Sequence, residues 1–173
     1  PNTTFENAVI KGLATDRGLY FPETITALDP SFFEIIETLS NEEIAYEAIK
    51  QFISPEIPEA ILKNIVSETL SFEFPVIKLT DSISTLELFH GPTMAFKDVG
   101  ARFMARCLGY FNKNNSNEVT VLVATSGDTG GAVANGFLGV KGVRVVIIDP
   151  SGKGRKNQEK QLSTLWQNNT ALE

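Results

Sequence analysis

Apolar residues recur at helical spacing through the first 72 positions and at strand spacing further on. Phe32, Phe33, Ile36 and Leu39 fall on one face behind Asp29-Pro30, a pair that reads as an N-cap with proline at the first helical position. Asn41-Glu42-Glu43 opens a second periodic stretch, with Ile44, Ala48, Ile49 and Phe52 inward. Pro58-Glu59 opens a third, with Ile61, Ile65 and Leu70 inward. Each stretch is too short to persist as an isolated helix, so its apolar face must pack on something. Ahead of them, Phe5, Ala8 and Val9 predict a helical turn broken at Gly12-Leu13-Ala14. Asp16-Arg17-Gly18 predicts a turn, and Leu19-Tyr20-Phe21 a short strand stopped by Pro22.

From Pro75 the period changes. Residues 76–79 and 85–89 predict strands around an Asp81-Ser82 turn. Residues 97–113 predict a helix with Val99, Phe103, Cys107 and Tyr110 along one face. Residues 119–124 and 143–148 are runs rich in β-branched residues, the pattern of strands buried on both faces of a parallel sheet. Between them lie a glycine-rich loop at 125–131, a short helix at 132–138 and a turn at 139–142. Strand, loop, helix and strand make a βαβ unit. A further helix is expected at 155–166, and a third strand begins near Thr170. The chain thus divides into a mostly helical subdomain with a short strand, 1–74, and the start of an α/β domain with an open parallel sheet, 75–173.

Composition narrows the partners. The 173 residues are 42% apolar and 21% charged, ordinary for a soluble globular domain with a real core. A net charge of −6 argues against nonspecific nucleic-acid binding. No apolar run approaches the roughly 20 residues that span a bilayer. No basic segment followed by an apolar one opens the chain, so no signal peptide is expected and a cytoplasmic location is the default. The single cysteine, Cys107, excludes an internal disulfide and makes a zinc cage implausible. It reads as helix core.

Two stretches carry candidate chemistry. In Phe89-His90-Gly91-Pro92-Thr93-Met94-Ala95-Phe96-Lys97-Asp98, a Gly-Pro turn leads into a helix opened by Lys97. The helix dipole disfavours a cation there. Apolar Phe89, Met94, Ala95 and Phe96 would strip water from the amine, and both effects favour its neutral, nucleophilic form. That form suits a Schiff-base lysine; a snorkelling surface lysine is the plainer reading. His90, the single histidine, is read either as a hydrogen-bonded turn residue or as a participant beside Lys97.

The second stretch is Thr125-Ser126-Gly127-Asp128-Thr129-Gly130-Gly131, at the end of a buried strand and the start of a helix. Open α/β sheets bind ligands at that edge, and helix N-termini offer free N–H groups to anions. The loop has neither the dinucleotide nor the P-loop spacing, so a small carboxylate or phosphate suits it better. Asp128 reads equally as an N-cap and the glycines as turn residues. Lys153 and Arg155, after the second strand, are read as a solvated helix start or as phosphate partners.

These two stretches together resemble the threonine synthases, of the fold-type II group of pyridoxal-phosphate enzymes. The resemblance extends to Thr4-Phe5-Glu6-Asn7-Ala8-Val9, Gly12-Leu13-Ala14, Gly18-Leu19-Tyr20 and Gln158-Glu159-Lys160-Gln161-Leu162, so it runs along almost the whole chain. It implies a fold-type II architecture that is incomplete at the C-terminus. It implies pyridoxal 5'-phosphate held by Lys97 as a Schiff base, with Lys97 then acting as the base at the substrate's α- and β-carbons. The implied substrate is O-phospho-L-homoserine, converted with water to L-threonine and phosphate. The implied carboxylate grip is Thr125, Ser126, Gly127 and Thr129, with His90 nearby, and Asp128 lies where the wider group usually has Asn beside the cofactor's phenolic oxygen. Family members are much longer. An N-terminal fragment is therefore expected, inactive alone and lacking its C-terminal region, the cofactor's phosphate cup and the partner of its pyridine nitrogen. Another fold-type II amino-acid lyase and a noncatalytic binding relative remain alternatives.

Overall fold

The computed structural model describes residues 2–125, 127–148 and 167–172. They form a mixed α/β chain of two compact units, Pro1–Leu70 and Ser71–Glu173.

The first unit is helical. Helix α1, Phe5–Lys11, starts at Thr4, whose side chain accepts from the Asn7 amide. Glu56 holds the same helix start from fifty residues away: its two carboxylate oxygens accept the Phe5 and Glu6 amides at 2.7 and 2.8 Å. These are amides that a helix cannot satisfy internally. Helix α2, Pro30–Ile35, begins at Asp29 as expected, with the Asp29 carboxylate accepting from Ser31. Those two bonds hold its carboxyl below the usual carboxylate range. A 3₁₀ turn, Ile36–Thr38, follows. Helix α3, Asn41–Ile53, is opened by a capping box between Ser40 and Glu43. Helix α4, Glu59–Thr69, packs on it.

The buried residues of this unit are Ile53, Ile57, Leu62, Ile65 and Val66. Two expectations shift here. Ile53 rather than Phe52 is the buried end of α3, and Phe33 is 59% exposed while Phe32 is half-buried. A 100° step per residue puts near neighbours at the margin of a stripe, and the packed partner decides which one enters. Residues 19–21 form no strand, and Leu19 and Phe21 stand exposed. A strand needs a neighbour to satisfy its amides, and none of the described strands pairs there.

The second unit opens with a short antiparallel hairpin, β1 Val76–Lys78 and β2 Ser84–Leu86. The strand expected to run to Phe89 ends at Leu86. Helix α5, Lys97–Asn112, follows. Then come β3 Val119–Ala124, α6 Asp128–Gly136, β4 Val143–Ile148 and β5 Asn169–Leu172. β3, β4 and β5 form a parallel sheet in that order, with Val121 opposite Val145 and Val145 opposite Asn169.

Val143, Val145 and Ile147 are buried with Ala132, Ala134 and Phe137 of α6 and its end, and with Ala105, Cys107 and Leu108 of α5. Gly136 permits the close approach of the two helices: a Cβ there would sit 3.0 Å from the Ala101 carbonyl carbon. Burial pushes the Cys107 thiol up to about 12, so it is inert core, as expected. Among the described residues, burial on both sheet faces is not found. Along β3 and β4 it alternates, and Leu122, Ile148 and Leu172 are 64%, 41% and 52% exposed. α5 and α6 cover one face only. Among the described residues no helix is long and apolar enough to cross a membrane, and no cluster of metal-ligating side chains occurs.

Candidate active site

The site is built where α5 and α6 begin. Residues 91–96 wind into α5 through a tight turn: the Met94 amide donates to the Gly91 carbonyl at 3.0 Å, and the Asp98 amide to the Ala95 carbonyl at 3.0 Å. Met94 takes the left-handed conformation, φ 57°. Inside the turn sits Asp98, 1% exposed. Its Oδ2 accepts the Thr93 amide at 2.9 Å and its Oδ1 the Thr93 hydroxyl at 2.5 Å. Gly91 lies flat against it; a Cβ there would meet Asp98 Oδ2 at 2.5 Å and Phe72 at 3.0 Å.

Lys97, the first residue of α5, is half-buried and crosses to the other helix start. Its Nζ donates to Thr129 Oγ1 at 2.5 Å and lies 5.7 Å from the centre of the Phe96 ring. Lys97 and Thr129 stand in the wall of a groove of about 520 Å³, with Met104, Val121, Val133 and Phe137 among its apolar lining. The expected dry shell is thinner than the sequence suggests. Ala95 is buried, but Phe89, Met94 and Phe96 are 52%, 72% and 65% exposed. Ala95 and the Thr93–Asp98 pair take the inward positions of the turn, which leaves the large side chains outside.

At the other helix start, the Thr125 amide donates to the Ile148 carbonyl at 3.0 Å, extending the parallel ladder past the end of β3. Its hydroxyl oxygen then accepts the Gly127 and Gly130 amides at 3.2 and 3.3 Å. Thr125 therefore shapes the loop, and two of the loop's N–H groups are engaged within it. α6 starts at Asp128, not at residue 132. Asp128 and Thr129 thus belong to the first helical turn, and Gly130 and Gly131 are buried within it. Ser126, Lys153, Arg155 and the helix expected at 155–166 lie outside the described residues.

His90 is placed differently. Its Nε2 lies 2.7 Å from Glu87 Oε2, and its ring stacks on Phe89 with centroids 4.7 Å apart. Glu87 and Asp98 were assigned no role from sequence. A first-turn carboxylate five residues after a Gly-Pro-Thr turn is the signal for Asp98, since first-turn acids reach back to preceding amides. A carboxylate three residues before the histidine was the corresponding signal for Glu87.

Residues 1–70 match the family model described as threonine synthase N terminus. A threonine synthase from Buchnera aphidicola (subspecies Acyrthosiphon pisum) is 47% identical over 167 residues, which is 95% of this chain and 38% of that protein. The Escherichia coli K12 threonine synthase is 43% identical over the same shares. The crystal structure of the E. coli threonine synthase superposes with a TM-score of 0.88 at 39% identity, covering 98% of this chain and 39% of that one. A PLP-bound threonine synthase from Brucella melitensis superposes at 0.87 with 34% identity, over 94% and 36%. This chain therefore spans less than two fifths of the length of these relatives.

Proposed function

We propose that this chain, which is similar to the N-terminal portion of threonine synthases, is that portion of a family member and supplies the lysine and carboxylate-binding parts of a pyridoxal-phosphate-dependent carbon–oxygen lyase. The substrate is O-phospho-L-homoserine, and the products with water are L-threonine and phosphate. The architecture is that of the fold-type II enzymes. The observation that carries this reading is the 2.5 Å bond between Lys97 Nζ and Thr129 Oγ1, which joins the two candidate stretches across 32 residues.

The residues present fit the cofactor. A primary amine and a hydroxyl stand in the wall of a mostly apolar groove whose volume lies in the range of small-molecule sites. Lys97 would hold the cofactor covalently through Nζ, and Asp128, in the first turn of α6, is the second residue assigned to it. When bound, the cofactor supplies the electron sink for charge developing on the substrate.

The rest is done by side chains. Lys97, when its amine is free, takes the proton from the substrate α-carbon and then serves the β-carbon. Thr129 accepts a hydrogen bond from that amine and keeps it at the mouth of the loop. Thr125 holds the loop backbone, and residues 125–129 orient the substrate carboxylate. Glu87 orients the His90 ring.

Incubation with pyridoxal phosphate, borohydride reduction and peptide mapping test this reading. Lys97 is expected to carry label ahead of the exposed Lys63 and Lys113, and Lys97→Ala to abolish the selective part. Equal labelling of all lysines would refute it.

A further inference from the structure

Asp98 has no part in the chemistry above, yet it is the charged residue most deeply buried among those described. Burying a carboxylate is unfavourable unless donors satisfy it. Here both oxygens are satisfied by one residue, Thr93, five positions back across the Gly-Pro turn. The helix start itself has no side-chain cap: Phe96 at the N-cap makes no such bond. Asp98 thus reaches back past the helix start and ties the turn that precedes α5.

The consequence falls on Lys97. Asp98 beside it is fixed by the two bonds to Thr93, and Ala95, two positions before it, by burial and by accepting the Asp98 amide. Gly91 closes the clamp, because no Cβ fits against the carboxylate. A lysine side chain has four rotatable bonds, so the amine is placed only as well as its Cα is held. We infer that Asp98 is a positioning residue: its carboxylate, through Thr93, fixes the backbone from which Lys97 reaches Thr129. This rests on the reading of Lys97 as the cofactor-binding amine.

The test uses the full chain and two readouts. The first is the labelling preference of Lys97 over Lys63 with pyridoxal phosphate and borohydride; the second is hydrogen exchange at the Thr93 amide. Asp98→Asn keeps the shape but removes one acceptor. It is expected to lower the Lys97 preference about tenfold, the scale of a modest misplacement, and to speed Thr93 exchange, with Lys63 labelling unchanged. Thr93→Val is expected to lower the preference about threefold and Thr93→Ser to restore it, since the single hydroxyl bond is the smaller share. If Asp98→Asn fails to fold, the Thr93 pair decides. A folded Asp98→Asn chain with the wild-type preference, or Val and Ser behaving alike at position 93, overturns the proposal alone. A wild-type chain with no preference for Lys97 removes the underlying reading and the proposal with it.

Discussion

The turn that leads into α5 is held by a buried carboxylate, whereas the connection that leads into α6 is held by a hydroxyl. Asp98 accepts from one residue with both oxygens and is shut away from water. Thr125 accepts from two amides with one oxygen, and it is half-buried at the sheet edge. Charge-assisted bonds in a dry place are stronger and stiffer than neutral ones. The difference teaches that the turn before Lys97 is tied by charge-assisted bonds, and the connection before Thr129 by neutral ones.

Three substitutions break or sharpen this contrast. Asp98→Ala leaves the two half-buried donors of Thr93 without their acceptor and should lower unfolding stability by about 2 kcal/mol, read from urea denaturation with an unchanged slope. Thr125→Val keeps the volume and removes a neutral acceptor, so about 1 kcal/mol is expected in the same assay. If it matches or exceeds the loss at Asp98, the two connections are not held differently. His90→Gln breaks a partly exposed pair with Glu87 and should change stability by less than about 0.5 kcal/mol. A large loss there would place His90 in the framework of the turn instead of at its surface.

Helix starts were legible because their signals are local. Asp29-Pro30 and Asn41-Glu42-Glu43 open helices where expected, and Pro58 stands at the N-cap of α4. Strands β3 and β4 were legible as β-branched runs. The start of α6 was missed because Asp128-Thr129-Gly130-Gly131 has the composition of a loop. Propensity gave way there to packing: Gly130, Gly131 and Ala132 are buried in the first turns. Glu56 on the start of α1 has no sequence signal at all, since the two are fifty residues apart.

Residue order alone determined the helix and strand periods, the Gly-Pro turn before Lys97 and the small, polar loop after β3, because these depend on neighbours within a few positions. Tertiary structure decided that Lys97 meets Thr129, and that one face of the sheet is covered while Leu122 and Leu172 remain open. Those outcomes depend on how α5 and α6 pack together against β4. Packing is a sum of many weak contacts between distant residues, which no local pattern encodes.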